Sequence, residues 1–304
     1  MEQELTIARL YSRSKTGPAA IDAGTLAEFQ GCDPLHTAAA IGGNWLAIVS
    51  AVTAATLWPG MVTALATIIF LGSRQLALWV LAHEAVHGLL LRDHSQNDQL
   101  AKFTLAGPIG LNFDEFRRLH FLHHKHVGTD QDPEHRLANY REFQFPMSRF
   151  KLATILIGDL CGANFLRYRL SSASGAQSLG KIAVGLAAIY WLLPSIGAAL
   201  AFWVIAHATW FQMVLRLRLM FEHQGDDVGP LRTRTVLAYP PERLLFIPGH
   251  VNFHIEHHLY PAVPAHRLRA LHTLLSQRAA YRDVAATRHG WLNTLGEFIQ
   301  APRG

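Results

Sequence analysis

The sequence contains 304 residues, of which 50% are hydrophobic and only 16% are charged, and its mean hydropathy is +0.14. The apolar residues are gathered into blocks, which is typical of a polytopic membrane protein with one membrane domain. Two cysteines, Cys32 and Cys161, exclude a disulfide framework and a sulfur-ligated metal site. The net charge is +5, and the Lys and Arg residues lie between and beyond the apolar blocks. This distribution indicates membrane topology and not nucleic-acid binding.

The first part of the chain is polar. Residues 1–37 mix acidic and basic side chains and lack the apolar core and cleavage site of a signal peptide. We therefore expect a cytoplasmic N-terminal segment that is not removed.

Two pairs of apolar blocks follow in chain order. Residues 38–58 and 61–82 are each long enough to cross a bilayer and are joined by a Pro-Gly turn, which predicts a tight helical hairpin. Residues 181–193 and 196–217 form a second pair, divided by a Pro-Ser turn. The predicted fold is an all-α integral membrane protein with four transmembrane helices in two hairpins.

The distribution of basic residues predicts the orientation in the membrane. Neither tight turn carries Lys or Arg, whereas segments 92–181 and 216–303 carry many. By the positive-inside rule, both termini and both large polar regions lie in the cytoplasm. The apolar stretches 100–111 and 152–165 are too short to span comfortably, so they are predicted to be interfacial or re-entrant helices.

Arg74 lies inside the second apolar block, where a charge is costly unless it faces protein or a polar cavity. At about 100° per residue, its side chain points nearly opposite to that of His83. Two interpretations stay open here. Arg74 either pairs inside the protein, with Asp159 or with backbone carbonyls, or contacts a polar part of the substrate.

Eight of the 18 histidines fall into three short clusters, called boxes below. Box one is His83 and His87, box two is His120, His123 and His124, and box three is His254, His257 and His258. Spacings of three and four residues place the imidazoles of each box on one helical face. Because each hairpin returns to the side on which it started, all three boxes emerge in the cytoplasm, as does His223 at the end of the fourth block.

The number of imidazoles exceeds the capacity of one metal ion. A structural zinc takes four ligands and a catalytic zinc takes three plus water. The eight box histidines, with His223 as a ninth, suffice for two metal ions with four or five ligands each. Imidazole binds iron, copper and zinc, but only a redox metal with open positions explains a two-metal site beside apolar space for a substrate. Iron is the leading candidate, and we predict no catalytic residue beyond the metal centre.

Ligating imidazoles are commonly oriented by a polar partner on the second ring nitrogen. Four residues are candidates for this role: Asp132, Glu256, Asn252 and Glu222. Each is also explained as an ordinary capping residue, turn residue or solvated acid.

The order and spacing of the boxes resemble those of the membrane fatty acid desaturase superfamily. The run GTDQDPE at 128–134 and the run HIEHHLYP at 254–261 resemble its bacterial members. The resemblance covers roughly residues 79–264. It implies a desaturase-like membrane and di-iron domain at 38–264 and a cytoplasmic helical tail at 265–304.

The resemblance also implies four membrane helices under a cytosolic cap, two iron ions held almost wholly by histidine, and a reaction that consumes O₂ and two electrons. Some members place an Asn one turn before the histidine that ends the fourth helix. Here Leu219 stands at that position, so the site is expected to use nine histidines or to draw on Glu222. The expected activity is desaturation of a fatty acyl chain in a bacterial inner membrane.

The expected electron donor is a ferredoxin, a flavodoxin or a similar carrier. Five basic residues form a candidate docking face for an acidic carrier: Arg117, Arg118, Lys125, Arg136 and Arg141. Retention of these loops on the anionic membrane surface explains the same residues equally well.

Two alternatives to a desaturase are kept. A hydroxylase or ketolase on the same scaffold would act on an alkyl, sphingolipid or terpenoid substrate, and the boxes do not separate these reactions. His83, Glu84 and His87 also match the H-E-x-x-H pattern of zinc metalloproteases. An intramembrane protease, however, would leave six box histidines unused.

Overall fold

The computed structural model describes residues 20–134, 144–224 and 231–299. Arg136, Arg141 and residues 1–19 of the predicted N-terminal segment lie outside these ranges. The described helices are α1 (Ala23–Phe29), α2 (Pro34–Leu57), α3 (Met61–Val86), α4 (His94–Ala101), α5 (Phe113–His126), α6 (Arg149–Leu160), α7 (Ala163–Leu170), α8 (Ala173–Leu192), α9 (Pro194–Ala208), α10 (Trp210–His223), α11 (Pro240–Leu245), α12 (His254–Leu259), α13 (Ala265–Ser276), α14 (Ala279–Arg282) and α15 (Trp291–Glu297). The strands are β1 (Arg234–Leu237) and β2 (Ala286–His289).

Three helical segments of the described chain are long and apolar enough to cross a membrane: Ala23–Leu57, Met61–Val86 and Pro194–His223. They include three of the four predicted transmembrane blocks, and the fourth, 181–193, lies mostly in α8. The mostly helical, membrane-protein character predicted from the sequence is therefore confirmed. Four crossings in two hairpins stay a prediction.

Helix α3 is the centre of the helical bundle and packs against α2, α9 and α10. Its contact with α10 depends on Gly72, because a Cβ atom at that position would lie 2.8 Å from Trp210 Cβ and 2.9 Å from the Phe211 nitrogen. Beside it, Ser73 Oγ accepts a hydrogen bond from Trp210 Nε1 at 3.0 Å. The two helices that end at His87 and His223 are thus held at close backbone distance.

The two halves of α3 have different surroundings. Near its start, Leu57, Trp58, Met61 and Val62 form an exposed apolar end of the bundle. Most residues from Leu71 to Val86 are buried, in part beneath the C-terminal cap, a name used here for residues 231–299. An exposed apolar end suits the hydrocarbon of a bilayer, whereas the covered half can present polar side chains at no such cost.

The two short apolar stretches do not form long helices. Residues 100–111 finish α4 and continue as a π-helical turn (Lys102–Ala106) and a 3₁₀ turn (Gly107–Ile109). Residues 152–165 divide between α6 and α7, which expose Phe150 and Ile157 beside basic residues. Short helices with exposed apolar and basic side chains suit the membrane interface that the sequence predicts.

The suggested pairing of Arg74 with Asp159 is wrong. Asp159 is fully buried and accepts hydrogen bonds from Arg216 Nε at 2.5 Å and Nη2 at 3.0 Å. Arg74 Nη2 instead donates to the Leu244 carbonyl at 3.0 Å. Of the interpretations offered for Arg74, the backbone-carbonyl contact is the one present.

The C-terminal cap also contains a small sheet that an all-α prediction omits. Strands β1 and β2 pair in parallel, with Arg234 opposite Ala286 and Leu237 opposite His289. Strand β2 lies in the segment 265–304, so that tail is not helical throughout. Four-residue strands carry too little periodicity to be distinguished from loops in the sequence.

We expect Gly72→Ala to destabilise the protein by about 1–3 kcal/mol, because the added methyl group forces α3 and α10 apart. Gly42→Ala is the matched control, since a Cβ atom there meets nothing within 4 Å. The control should be neutral or stabilising by up to about 1 kcal/mol through helix propensity. Thermal unfolding in detergent measures both changes, and equal midpoints for the two variants would contradict the close-packing account.

Candidate metal centre

The three boxes lie at the ends of helices or on short helices. His83 is in the last turn of α3 and His87 is the residue that caps it. Box two occupies the last two turns of α5. The N-terminus of this helix is capped by Asn112, whose side chain accepts a hydrogen bond from the Glu115 N–H. Box three forms most of α12, all of whose box histidines are buried. His223 is the last residue of α10.

The structure brings all nine predicted histidines together in two groups. Within each group, one ligand nitrogen per residue lies within 4.8 Å of every other. The first group is His83, His87, His120, His124 and His257, and the second group is His123, His223, His254 and His258. Box two and box three each contribute to both groups, so the groups are adjacent.

The Nε2 atoms face one another at short distances. In the first group, His87 and His120 approach to 2.8 Å. In the second, the His223 and His254 Nε2 atoms are 2.8 Å apart, and that of His258 is 3.1 Å from that of His254. Imidazoles bound at about 2.1 Å to one metal ion place their nitrogens about 3 Å apart. Each group therefore has the spacing of a metal-binding set.

Burial lowers the pKa of several of these imidazoles. Burial first, and then the neighbouring imidazoles, hold the pKa values of His120, His254, His257 and His258 well below the ordinary value. Burial also lowers the pKa of His87 to about 4. A neutral imidazole keeps the lone pair that a metal ion needs, so the groups are ready to bind cations at neutral pH.

Two of the histidines have their second ring nitrogen fixed by the protein. His123 Nδ1 donates to Asp132 Oδ1 at 2.9 Å, and His223 Nδ1 donates to the Arg232 carbonyl at 3.0 Å. In both cases Nε2 is left for the metal. Burial lowers the pKa of His123, but the carboxylates of Glu134 and Asp132 outweigh it and raise the pKa.

Asp132 is itself held tightly, since it is 1% exposed and also accepts the backbone N–H groups of Gly128 and Glu134. Gly128 has φ +71° and lies against the Arg232 side chain. A Cβ atom added at Gly128 would be only 2.7 Å from Arg232 Cγ. The loop after box two thus packs on the segment that orients His223.

Strand β1 connects α10 to box three. The buried Arg234 side chain donates to the Phe221 carbonyl at 3.2 Å, near the end of α10. Thr235 Oγ1 accepts the Ile255 N–H at 3.2 Å and donates to Glu256 at 2.6 Å. Strand β1 therefore sets the position of His223 relative to α12.

The other residues proposed to orient ligands have different contacts. Glu256 is fully buried, and its carboxylate accepts hydrogen bonds from Thr235, His272 and Tyr281. Asn252 Nδ2 donates to the Val236 carbonyl at 2.9 Å. Both stabilise α12 and β1 and contact no imidazole of the two groups among the described residues.

Two carboxylates flank the second group. Glu222 Oε2 is 3.6 Å from His254 Nε2, while Glu222 Oε1 is 2.7 Å from Arg218 Nε. Glu134 Oε2 lies 3.9 Å from His123 Nε2 and 4.0 Å from His223 Nε2. Glu134 ends the run 128–134, but no local pattern in the sequence marks it as a site residue. Its distance from box two is set by the turn after α5, which the sequence does not specify.

The predicted docking face is partly neutralised. Arg117 forms a bidentate ion pair with Asp98, and Arg118 pairs with Glu115. Lys125 is exposed on α5. Surface charge around box two is thus less positive than the count of basic residues indicates.

A family model described as fatty acid desaturase matches residues 45–291. The chain belongs to the fatty acid desaturase family. The resemblance inferred from the boxes is thereby confirmed, and the protein is an oxidoreductase of a membrane-protein family with two histidine groups that fit a metal centre.

Similar proteins share the family but differ in what their names describe. A dihydrorhizobitoxine desaturase of Bradyrhizobium elkanii is 25% identical over 85% of this chain and 79% of its own length. A beta-carotene ketolase of a Paracoccus species is 28% identical over 67% of this chain and 78% of its own. Fatty acid desaturase 3 of Bos taurus is 22% identical over 81% of this chain and 62% of its own.

We expect Asp132→Asn to weaken metal binding by about 10- to 100-fold, because the His123 imidazole loses its charged partner. Asp130→Asn is the control, since Asp130 is exposed two residues away. Chelator competition followed by metal analysis measures both affinities. Unchanged affinity in Asp132→Asn would show that the carboxylate does not orient a ligand.

Proposed function

We propose that the protein is an O₂-dependent fatty acyl (lipid) desaturase with a histidine-ligated di-iron centre. The observation that carries the proposal is the convergence of nine histidines on two adjacent groups of nitrogen atoms. The family match and the similarity to named desaturases support it.

In this proposal each histidine group holds one iron ion. The donor set fits iron, because neutral imidazole is a good ligand for it and nine nitrogens provide five ligands to one ion and four to the other. When bound, the iron pair supplies the activation of O₂ needed to oxidise an unactivated C–H bond. Glu134 and Glu222 lie at the edge of the four-histidine group, with carboxyl oxygens 3.6–4.0 Å from its Nε2 atoms.

The chain's own residues provide a dry wall beside the first group. The Trp79 ring lies 5.8 Å from the His83 ring and 4.8 Å from the Phe116 ring, measured between centroids. Both aromatic side chains are apolar surfaces that exclude water from the neighbouring imidazoles. We propose that the substrate chain passes these rings, and that its placement decides which carbon reacts.

The reaction needs electrons from outside the two histidine groups. Two hydrogen atoms leave the substrate, two electrons come from a carrier and two protons come from solution. Together they reduce O₂ to two water molecules. We propose a ferredoxin, a flavodoxin or a similar carrier as the donor. It would dock on the cytoplasmic side near α5, where Lys125 is exposed.

The proposed orientation follows from the basic residues. Four crossings, with α8 as the third, place α5, the cap and both termini in the cytoplasm of a bacterial inner membrane. The histidine groups would then lie just above the bilayer, at the covered ends of α3 and α10.

A hydroxylase or ketolase is the second candidate, and the 28% identity with a beta-carotene ketolase favours it. The metalloprotease alternative is not retained. Its general base would be Glu84, but Glu84 Oε1 accepts the backbone N–H of Ala265 and the carboxylate is in neither histidine group.

We expect the purified protein to bind two iron ions per chain, and expect His124→Ala and His258→Ala each to lose iron, since they remove one ligand from the first and second group respectively. His289 is the last residue of β2 and belongs to neither group, so His289→Ala should keep both iron ions. Metal analysis by mass spectrometry measures the content. One zinc ion per chain with activity retained in both ligand variants would overturn the di-iron proposal.

Expression in a host followed by lipid mass spectrometry tests the reaction type. A desaturase removes about 2 mass units from acyl chains, whereas a hydroxylase adds about 16. We expect the loss, dependent on O₂ and on a reduced carrier. Gain of oxygen on a terpenoid or alkyl substrate would favour the second candidate, and turnover under strict anaerobiosis would contradict both.

A further inference from the structure

A cavity of about 360 Å³ lies between α2, α3, the 3₁₀ turn Pro248–His250 and the start of α13. Its wall combines small apolar residues with polar side chains from all four segments. The polar lining residues are His36, Asn44, Arg74, Glu84, His250 and His266.

This cavity is separate from the histidine groups. Arg74, Ala77 and Glu84 line it from one face of α3, whereas His83 belongs to the first histidine group on another face. A helix has 3.6 residues per turn, so adjacent residues such as His83 and Glu84 point about 100° apart. A ligand in the cavity would therefore lie on a different face of α3 from the first histidine group.

Arg74 supplies the cavity with a positive charge. Its Nη2 donates to the Leu244 carbonyl, but its buried Nε has no hydrogen-bond partner. No carboxylate of the described chain forms an ion pair with it. Glu84 lies ten residues further along α3, about 15 Å away along the axis, and accepts the Ala265 N–H.

Two of the cavity histidines carry no positive charge near neutral pH. Burial lowers the pKa of His250 and of His266 to about 4, so both imidazoles are neutral near pH 7. The fixed cation of the wall is therefore the Arg74 guanidinium.

Other polar atoms in the wall also lack partners. Asn44 is only 6% exposed, and its Nδ2 donates to the Arg74 carbonyl at 3.3 Å, while its Oδ1 is unpartnered. His266 Nδ1 is buried without a partner as well, and its ring stacks on that of His36. Buried polar atoms cost free energy until a bound group completes their hydrogen bonds. Their clustering around one cavity points to a polar ligand.

Exposed residues of α2 border the cavity. His36, Ala39 and Gly43 line it from α2 and are exposed, and α2 belongs to the apolar segment Ala23–Leu57. Small side chains at Ala40 and Ala77 leave room for a narrow apolar chain beside the polar groups. In the proposed four-crossing arrangement, a ligand that enters past α2 would come from the membrane surface.

We propose that this cavity binds the anionic oxygen group of a membrane amphiphile, either a carboxylate or a phosphate ester, with Arg74 as its cation. Arginine pairs well with such oxygens because its guanidinium donates several hydrogen bonds in one plane. The site does not require iron or turnover, so it can be tested apart from the proposed activity.

Binding is tested on the full chain in nanodiscs of neutral phosphatidylcholine, with radiolabelled palmitate, phosphatidylglycerol or inorganic phosphate as separate probes. We expect saturable binding of palmitate or phosphatidylglycerol, and the probe retained identifies the carboxylate or phosphate form. In Arg74→Gln the affinity should fall by at least about tenfold, as expected when a charge-assisted hydrogen bond is lost.

Two matched pairs serve as controls. Gly43→Leu fills the cavity, and Gly42→Leu adds the same side chain next to it; a Cβ atom at either glycine meets nothing within 4 Å. Lys181→Gln removes an exposed charge that does not line the cavity, as the counterpart of Arg74→Gln. The cavity variants should lose binding and the controls should keep it. Retention of inorganic phosphate alone, equal binding by Gly43→Leu and wild type, or no binding of any probe would overturn the proposal.

Discussion

The structure depends on burying nine imidazoles with their ring nitrogens facing one another. Burial removes the water that would otherwise satisfy these nitrogens, and facing lone pairs cannot all find a donor among themselves. A cation between them would offset both costs, which is the physical reason to expect metal binding and folding to be coupled. The polar cluster lies at the covered half of α3, because the exposed apolar end of the bundle offers no polar surroundings for it.

Several local devices keep the cluster rigid. Gly72 lets α3 and α10 approach closely, which fixes the ends that carry box one and His223. Arg234 and strand β1 hold α10 against box three, and Asp132 orients His123. Each device joins segments far apart in the chain, so the geometry of the site is a property of packing and not of any one helix.

Helix α3 serves two chemically different places. Its His83 face contributes to the first histidine group, while its Arg74 and Glu84 face borders the polar cavity beside α2. A single charge in an otherwise apolar segment is tolerated because one of its donors bonds the Leu244 carbonyl. The same residue thereby gives the membrane-facing side of the protein a cation for an amphiphile.

The sequence by itself determined the membrane character, the family and the eight box histidines, because spacings of three and four residues on a helix are local and can be counted. His223 was predicted from its position at the end of the fourth apolar block. Tertiary structure alone decided how the histidines divide: His123 joins the second group while its neighbours His120 and His124 join the first. It also decided that Arg216, and not Arg74, pairs with Asp159. These outcomes depend on contacts between residues distant in the chain, which no local pattern encodes.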